Sequence, residues 1–172
     1  MRLYAARADA ETHALYGSSG RRSASALLTP LDTFEGWLYL AVFIDLYSRM
    51  VVGWSMSDRI DSDLVISAYD MGLKRRGICS PRIVHSDQGS QYGSAAFKEC
   101  LDEACVQSMS RKSNCWDNAV AESFFGTIKS ESLYHHKFKS RKEAQLTIFE
   151  FIEFFYNKQR LHSTLNYLTP EV

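Results

Sequence analysis

The chain carries no net charge, because twenty Lys and Arg balance twenty Asp and Glu over 172 residues. Overall charge therefore gives no electrostatic case for a polyanionic partner, and any nucleic-acid contact must come from local patches. No stretch approaches the roughly 18 apolar residues of a membrane span. The N-terminal Met1-Arg2-Leu3-Tyr4 runs into Ala-Arg-Ala-Asp rather than an apolar signal core. A soluble, cytoplasmic protein without a membrane partner is expected. The four cysteines, Cys79, Cys100, Cys105 and Cys115, include no C-x-x-C pair, and the five histidines show no H-x(3-5)-H spacing. That argues against a zinc site and for reduced thiols. Neither an internal repeat nor a helix-turn-helix is visible.

What is present is apolar material for one buried core: 45% hydrophobic and 13% aromatic residues. Residues 37–45, Trp-Leu-Tyr-Leu-Ala-Val-Phe-Ile-Asp, form a short, nearly continuous apolar run that predicts a strand buried on both faces. A polar turn and Val51-Val52-Gly53-Trp54 predict its antiparallel neighbour. Asp61 or Ser62 can cap a helix ending near Lys74-Arg75-Arg76. Further on, residues 82–86 predict a strand ending at Asp87, 94–104 a helix and 106–109 a strand. Asp117 can cap a helix whose Ala121, Phe124, Phe125 and Ile128 form a core-facing stripe, with Glu122, Gly126 and Lys129 on the flank bordering a cleft. Ser140 and Glu143 form a capping box for a long helix to Tyr156, packing through Ala144, Ile148, Phe151 and Phe155, before an irregular tail. The order predicts an α/β fold with a mixed sheet. Residues 1–32 show no sustained periodicity and are expected to be a poorly ordered or degenerate leader, with the core over 33–172.

Two carboxylates suit a divalent cation. Asp87 closes a short strand before the small polar loop Gln88-Gly89-Ser90-Gln91-Tyr92, and Glu122 lies on the cleft flank of its helix. Mg²⁺ takes octahedral oxygen ligation from one or two carboxylates, water and substrate phosphate, so acids converging from separate elements are what phosphoryl transfer needs. Taken singly, each has a blander reading, a turn aspartate and an exposed helical glutamate. Basic patches lie at Lys74-Arg75-Arg76, at Arg111-Lys112 and along Lys137, Lys139, Arg141 and Lys142; each alone reads as a solvated face.

Together, four ordered blocks resemble the integrase-core transposases of bacterial insertion sequences, relatives of retroviral integrases. The blocks are Glu35-Gly-Trp-Leu-Tyr-Leu-Ala-Val-Phe-Ile-Asp-Leu-Tyr-Ser-Arg49; His85-Ser-Asp-Gln-Gly-Ser-Gln-Tyr92; Ser108-Met-Ser-Arg-Lys-Ser-Asn-Cys-Trp-Asp-Asn-Ala119 leading to Glu122-Ser-Phe-Phe-Gly-Thr-Ile-Lys129; and Tyr156-Asn-Lys-Gln-Arg160-Leu-His-Ser-Thr-Leu165. The resemblance implies a ribonuclease-H-like, mixed five-stranded sheet flanked by helices. It implies metal-dependent phosphodiester cleavage and strand transfer on transposon ends and target DNA, with two Mg²⁺ or Mn²⁺ ions held by three carboxylates. Asp87 would be the second acid and Glu122 the third; Lys129 would contact the DNA end, and Tyr156, Asn157, Arg160 and His162 would contact DNA or buttress the last helix. A homo-oligomer is implied, with end recognition supplied by an upstream DNA-binding domain or a separate polypeptide.

The match breaks at the first acid. The resemblance implies an aspartate in an Asp-Ile-Thr-Tyr-Ile-like segment, whereas this chain reads Leu27-Leu28-Thr29-Pro30-Leu31. If this segment pairs with 37–45 about a turn near Phe34 and Glu35, Leu27 lies opposite Val42, and Asp45 is offset by three residues, roughly 10 Å along a strand. Asp32 falls at the turn. Thirty-four residues separate Asp87 from Glu122, slightly fewer than the resemblance implies, and Ser113 stands where a glycine is implied. Residues 9–31 read like a frame-shifted or rearranged segment of a truncated or degenerate gene copy. The alternative function is thus a catalytically inactive transposase remnant retaining only DNA or subunit binding.

Overall fold

The computed structural model describes residues 22–76, 82–101, 105–109 and 119–172. They form a mixed five-stranded sheet of order β3-β2-β1-β4-β5. Its strands are β1 (Arg22–Leu31), β2 (Leu38–Asp45), β3 (Val51–Ser57), β4 (Arg82–Ser86) and β5 (Cys105–Met109). The first three pair antiparallel, and β1-β4-β5 run parallel. The helices are α1 (Ser62–Arg76), α2 (Ala95–Cys100), α3 (Ala119–Glu131) and α4 (Arg141–Glu150), the last continued by a π-helical turn over Phe151–Tyr156. None of the described helices is long and apolar enough to cross a membrane.

The apolar run of β2 is buried along almost its whole length, as a strand covered on both faces requires. Successive side chains point to opposite faces, and two cores result. Leu38, Leu40, Val42 and Ile44 meet α3, α4 and the π turn. Ala41 and Phe43 meet α1, α2, Val84 and Tyr92. Gly53 of β3 is a close-approach position, since a Cβ there would lie 2.0 Å from the Ala68 carbonyl oxygen of α1.

The leader expected over residues 1–32 needs correction over its last part. Residues 22–31 are β1, the sheet's middle strand, and residues 1–21 lie outside the described set. The segment Arg-Ser-Ala-Ser-Ala carries no apolar alternation of its own; its strand state is imposed by β2 and β4, which pair with it on either side. The predicted pairing with β2 is present, with Leu27 opposite Val42. Pro30 pairs with Tyr39, but β4 has already ended at Ser86, opposite Ala26. At residue 30 the strand is therefore an edge on that side, where a missing N–H interrupts no second ladder.

Two helices also differ from expectation. Ser94 caps α2 as a side-chain acceptor for the Phe97 N–H, but Leu101 is extended, so the helix ends at Cys100 rather than near residue 104. Ser140 caps α4 by accepting from the Glu143 N–H at 3.1 Å. The Glu143 carboxylate reaches back one residue further than in a standard capping box, to the Lys139 N–H. The π turn widens the helical repeat beyond 3.6 residues. Ile152 and Tyr156 thereby enter the core after Phe151, while Phe155 is left 38% exposed. Asp117, the predicted cap of α3, and Ser113 lie outside the described residues.

Candidate active site

Parallel pairing sets the site. The β1–β4 register ends at Ala26 opposite Ser86, and the next residues along the two strands are Leu27 and Asp87. Leu27 is half-buried against the same core cluster that holds Ala121, Phe124 and Ile128 of α3. It therefore looks toward the helix that carries Glu122.

Asp87 is half-buried, and its Oδ1 accepts the Gly89 N–H at 2.9 Å. The loop closes through Tyr92 N–H to the Gly89 carbonyl at 3.1 Å. A Cβ at residue 89 would lie 2.9 Å from both Asp87 Oδ1 and Gln91 Oε1, so a larger residue here would push these two side chains aside. Beneath the loop the Tyr92 ring is 1% exposed and packs edge-on to Phe97 at 5.7 Å. Its hydroxyl is enclosed without a hydrogen-bond partner among the described residues. Burial first, and the Asp87 charge second, push this phenol far above its ordinary range. Sequence reasoning leaves Tyr92 unassigned inside its block; a lone tyrosine in a turn carries no signal of being core.

Glu122 is exposed in the first turn of α3. The predicted stripe of Ala121, Phe124, Phe125 and Ile128 is buried and fixes the helix's rotation. The Phe124 ring meets Tyr156 edge-on at 4.8 Å. Lys129, half-buried, shares the Glu122 flank but stands roughly 10 Å further along the axis.

Neither spare acid replaces Leu27. Asp45 pairs with Ala24 and belongs to the opposite face of the sheet. Its Oδ1 accepts from the Tyr47 and Ser48 N–H groups at 3.0 and 2.8 Å, so it builds the β2–β3 turn. Asp32 is exposed beyond the end of β1.

The last block is held together at the other end of α3. Asn157 grips Val51 of β3, accepting its N–H at 3.0 Å and donating to its carbonyl at 3.1 Å. Burial pushes the Tyr156 phenol up to about 12, despite the nearby Arg160 and Arg49 charges. Arg160 donates Nε and Nη2 to the Glu131 carboxylate, the latter bond at 2.9 Å, and this hydrogen bonding raises its already high pKa. The His162 ring stands edge-on to Tyr156 at 5.0 Å, with Nε2 enclosed and without a partner among the described residues. Burial, then the charges of Arg160 and Arg49, lower its pKa. The buttressing role of Tyr156 and Asn157 is thus visible in the packing; the amide pairing of Asn157 with a strand 106 residues away leaves no local trace in sequence.

As a donor set for a hard cation, Asp87 and Glu122 offer two carboxylates from separate elements, which fits one Mg²⁺ or Mn²⁺ completed by water and phosphate. The third position is an alkyl side chain, so a three-carboxylate, two-ion site does not fit. Among the described residues no group of three or more His, Cys, Asp or Glu gathers to hold a metal.

Two family models, each described as an integrase core domain, match residues 24–115 and 103–170. The chain belongs to the integrase core family. The first match begins inside β1, which agrees with that strand being part of the core. The transposase InsF of insertion sequence IS3A from Escherichia coli K12 is 45% identical over 157 residues, covering 91% of this chain and 54% of the relative. The IS904 transposase of Lactococcus lactis is 45% identical over 145 residues, covering 84% and 57%. The resemblance to bacterial insertion-sequence transposases therefore holds, and the chain spans about half the length of these relatives. Among solved structures, a chain of the simian T-cell lymphotropic virus intasome in complex with PP2A regulatory subunit B56 gamma matches with a TM-score of 0.69 at 16% identity, covering 87% of this chain and 52% of its own. The HTLV-2 integrase catalytic core domain, solved with magnesium, matches at 0.63 and 17%, covering 87% and 93%. These likenesses show the fold, the retroviral-integrase, ribonuclease-H-like architecture.

Proposed function

We propose that this integrase-core chain is the catalytic-core portion of an insertion-sequence transposase that acts on DNA phosphodiesters. The observation that supports this reading is the β1–β4 register, which ends at Ala26 opposite Ser86, one residue before Leu27 and Asp87, with Leu27 packed against the cluster that includes Ala121 and Phe124 of the Glu122 helix. Asp87 and Glu122 hold the divalent ion, Mg²⁺ or Mn²⁺, and a relative in fold was solved with magnesium. When bound, such an ion supplies Lewis-acid polarisation of the scissile phosphate. The Gly89 N–H keeps the Asp87 carboxylate anchored, and the buried stripe of α3 keeps Glu122 on the exposed side of its helix. Lys129 contacts a DNA phosphate further along that flank. Arg160 and His162 serve the DNA-binding surface indirectly: the fork of Arg160 is filled by Glu131 and His162 Nε2 is enclosed, so both fix the tail against α3. Transposon ends and target DNA are the substrates, a homo-oligomer is the working form, and end recognition comes from an upstream domain or a separate polypeptide. The protein acts in the cytoplasm, where bacterial DNA lies.

Leu27 favours a second reading, an inactive remnant that binds DNA or sister subunits. Mn²⁺-dependent nicking of supercoiled plasmid separates the two. The Leu27→Asp variant should nick at least about 100-fold faster than the unmodified chain, as expected when a missing metal ligand is restored. Glu122→Gln in that background should return the rate to baseline. Nicking by the unmodified chain that Glu122→Gln leaves intact would falsify the metal-site assignment. Silence of Leu27→Asp would leave the remnant reading.

A further inference from the structure

The connector between α3 and α4 presents a surface that the proposed chemistry does not use. Residues 132–142 carry Lys137, Lys139, Arg141 and Lys142 and no acidic residue. Arg141 is committed, with its N–H on Glu35 at 2.8 Å and its guanidinium near Asp58 at 3.5 Å. Lys137, Lys139 and Lys142 are exposed and form no ion pair among the described residues.

Beside these lysines stand aromatic rings that fill no core. Phe34 is 78% exposed, Tyr134 77% and Trp37 53%, and none stacks on another ring among the described residues. The β1–β2 turn carrying Phe34 and Trp37 is bonded to the connector at two points. Phe34 N–H donates to the Phe138 carbonyl at 3.1 Å, and Arg141 Nε donates to the Trp37 carbonyl at 3.2 Å. The connector is itself fixed, with His136 stacked on Phe138 at 5.5 Å and its Nδ1 on the Ser132 carbonyl. Rings and cations therefore belong to one preformed surface.

We infer that this surface binds an unpaired or splayed nucleic-acid strand, with bases stacking on Phe34 and Tyr134 and phosphates meeting Lys137, Lys139 and Lys142. Exposed planar rings offer a face to a π-faced partner, and three ammonium groups beside them attract an anionic one. A single strand with unstacked bases offers both at once, whereas a regular duplex offers only phosphates. The inference rests on the proposed action on DNA and adds the kind of strand engaged. Both ring substitutions fall on exposed side chains, and the backbone bond of Phe34 survives them.

Fluorescence anisotropy with the full chain, a short labelled single strand and the matching duplex tests this. The double variant Phe34→Ser, Tyr134→Ser should weaken single-strand binding about tenfold and duplex binding less than about twofold. The triple variant Lys137→Gln, Lys139→Gln, Lys142→Gln should weaken both and reduce the salt slope for the single strand by about 2. If both DNAs bind and every variant matches the unmodified chain, the surface is overturned while the DNA reading stands. If neither DNA binds, the DNA reading falls and this inference with it. If the variants leave DNA binding unchanged but abolish concentration-dependent self-association in sedimentation, the surface is a protein interface and the inference is wrong.

Discussion

The two halves of β1 differ in what surrounds them. Ala24 to Ala26 pair with β2 on one side and β4 on the other, while Leu27 to Leu31 pair with β2 alone among the described residues. The first half is interior sheet, and the second is an edge inside the molecule. The candidate site sits where one becomes the other, because the end of β4 frees Asp87 to turn out of the sheet and leaves an open flank beside residue 27. A charge is thus disfavoured at Ala26, inside the sheet, and accommodated at the junction.

The largest contrast tests that statement directly. Ala26 is fully buried in the α1 and α2 core, so Ala26→Asp takes a charge out of water and should cost at least about 3 kcal/mol. Leu27→Asp gives up partial burial, about 1–2 kcal/mol, and recovers stability when a divalent ion binds only the folded state. Thermal unfolding with and without Mn²⁺ should show a metal-dependent rise in Tm for Leu27→Asp well above that of the unmodified chain, and an unfolded Ala26→Asp. Equal tolerance of both aspartates would remove the distinction between the halves.

The other open stretch, at Val51, is treated differently: Asn157 caps its N–H and carbonyl. Asn157→Ala leaves two buried backbone groups unpaired and should cost about 3 kcal/mol, read as a lower urea midpoint with unchanged slope. A loss below about 1 kcal/mol would mean that water replaces the amide and that β3 is as open as the end of β1.

These contrasts also explain what the sequence could carry. The β2 run, the Asp87 loop and the buried stripe of α3 are legible because each is specified within a dozen residues. The first strand is not, since Ser23, Ala24, Ser25 and Ala26 become a strand only through partners about 20 and 60 positions away. Leu27 stands out only against the family pattern; in the structure it follows Ala26 as Asp87 follows Ser86, the residue opposite. The role of Tyr156 and Asn157 hides for the same non-local reason, and the exchange of Phe155 for Ile152 and Tyr156 follows from a π turn that an α-helical period cannot anticipate.

The tail gives a smaller, pH-dependent effect. His162 faces Arg160 on its own segment, Arg49 from the β2–β3 turn, Glu131 from α3 and the ring of Tyr156. Its folded pKa lies below the ordinary value near 6.5, so the unfolded chain binds more protons through that window. Stability should therefore fall as pH drops below about 6.5 toward the folded pKa, and level off beneath it. His162→Gln should flatten that part of a urea-midpoint profile against pH. An unchanged slope would assign the acid sensitivity to other groups.

The smallest effect belongs to Pro30, exposed on the one-sided half of β1. Proline restricts the unfolded chain, and at an edge it forfeits no second ladder bond. Pro30→Ala should therefore destabilise slightly, by about 0.5–1 kcal/mol, because the restored N–H meets water rather than a strand. Stabilisation by more than about 1 kcal/mol would mean that the new N–H finds a backbone acceptor. The second half of β1 would then be interior after all, and the open flank that lets residue 27 carry an acid would not exist.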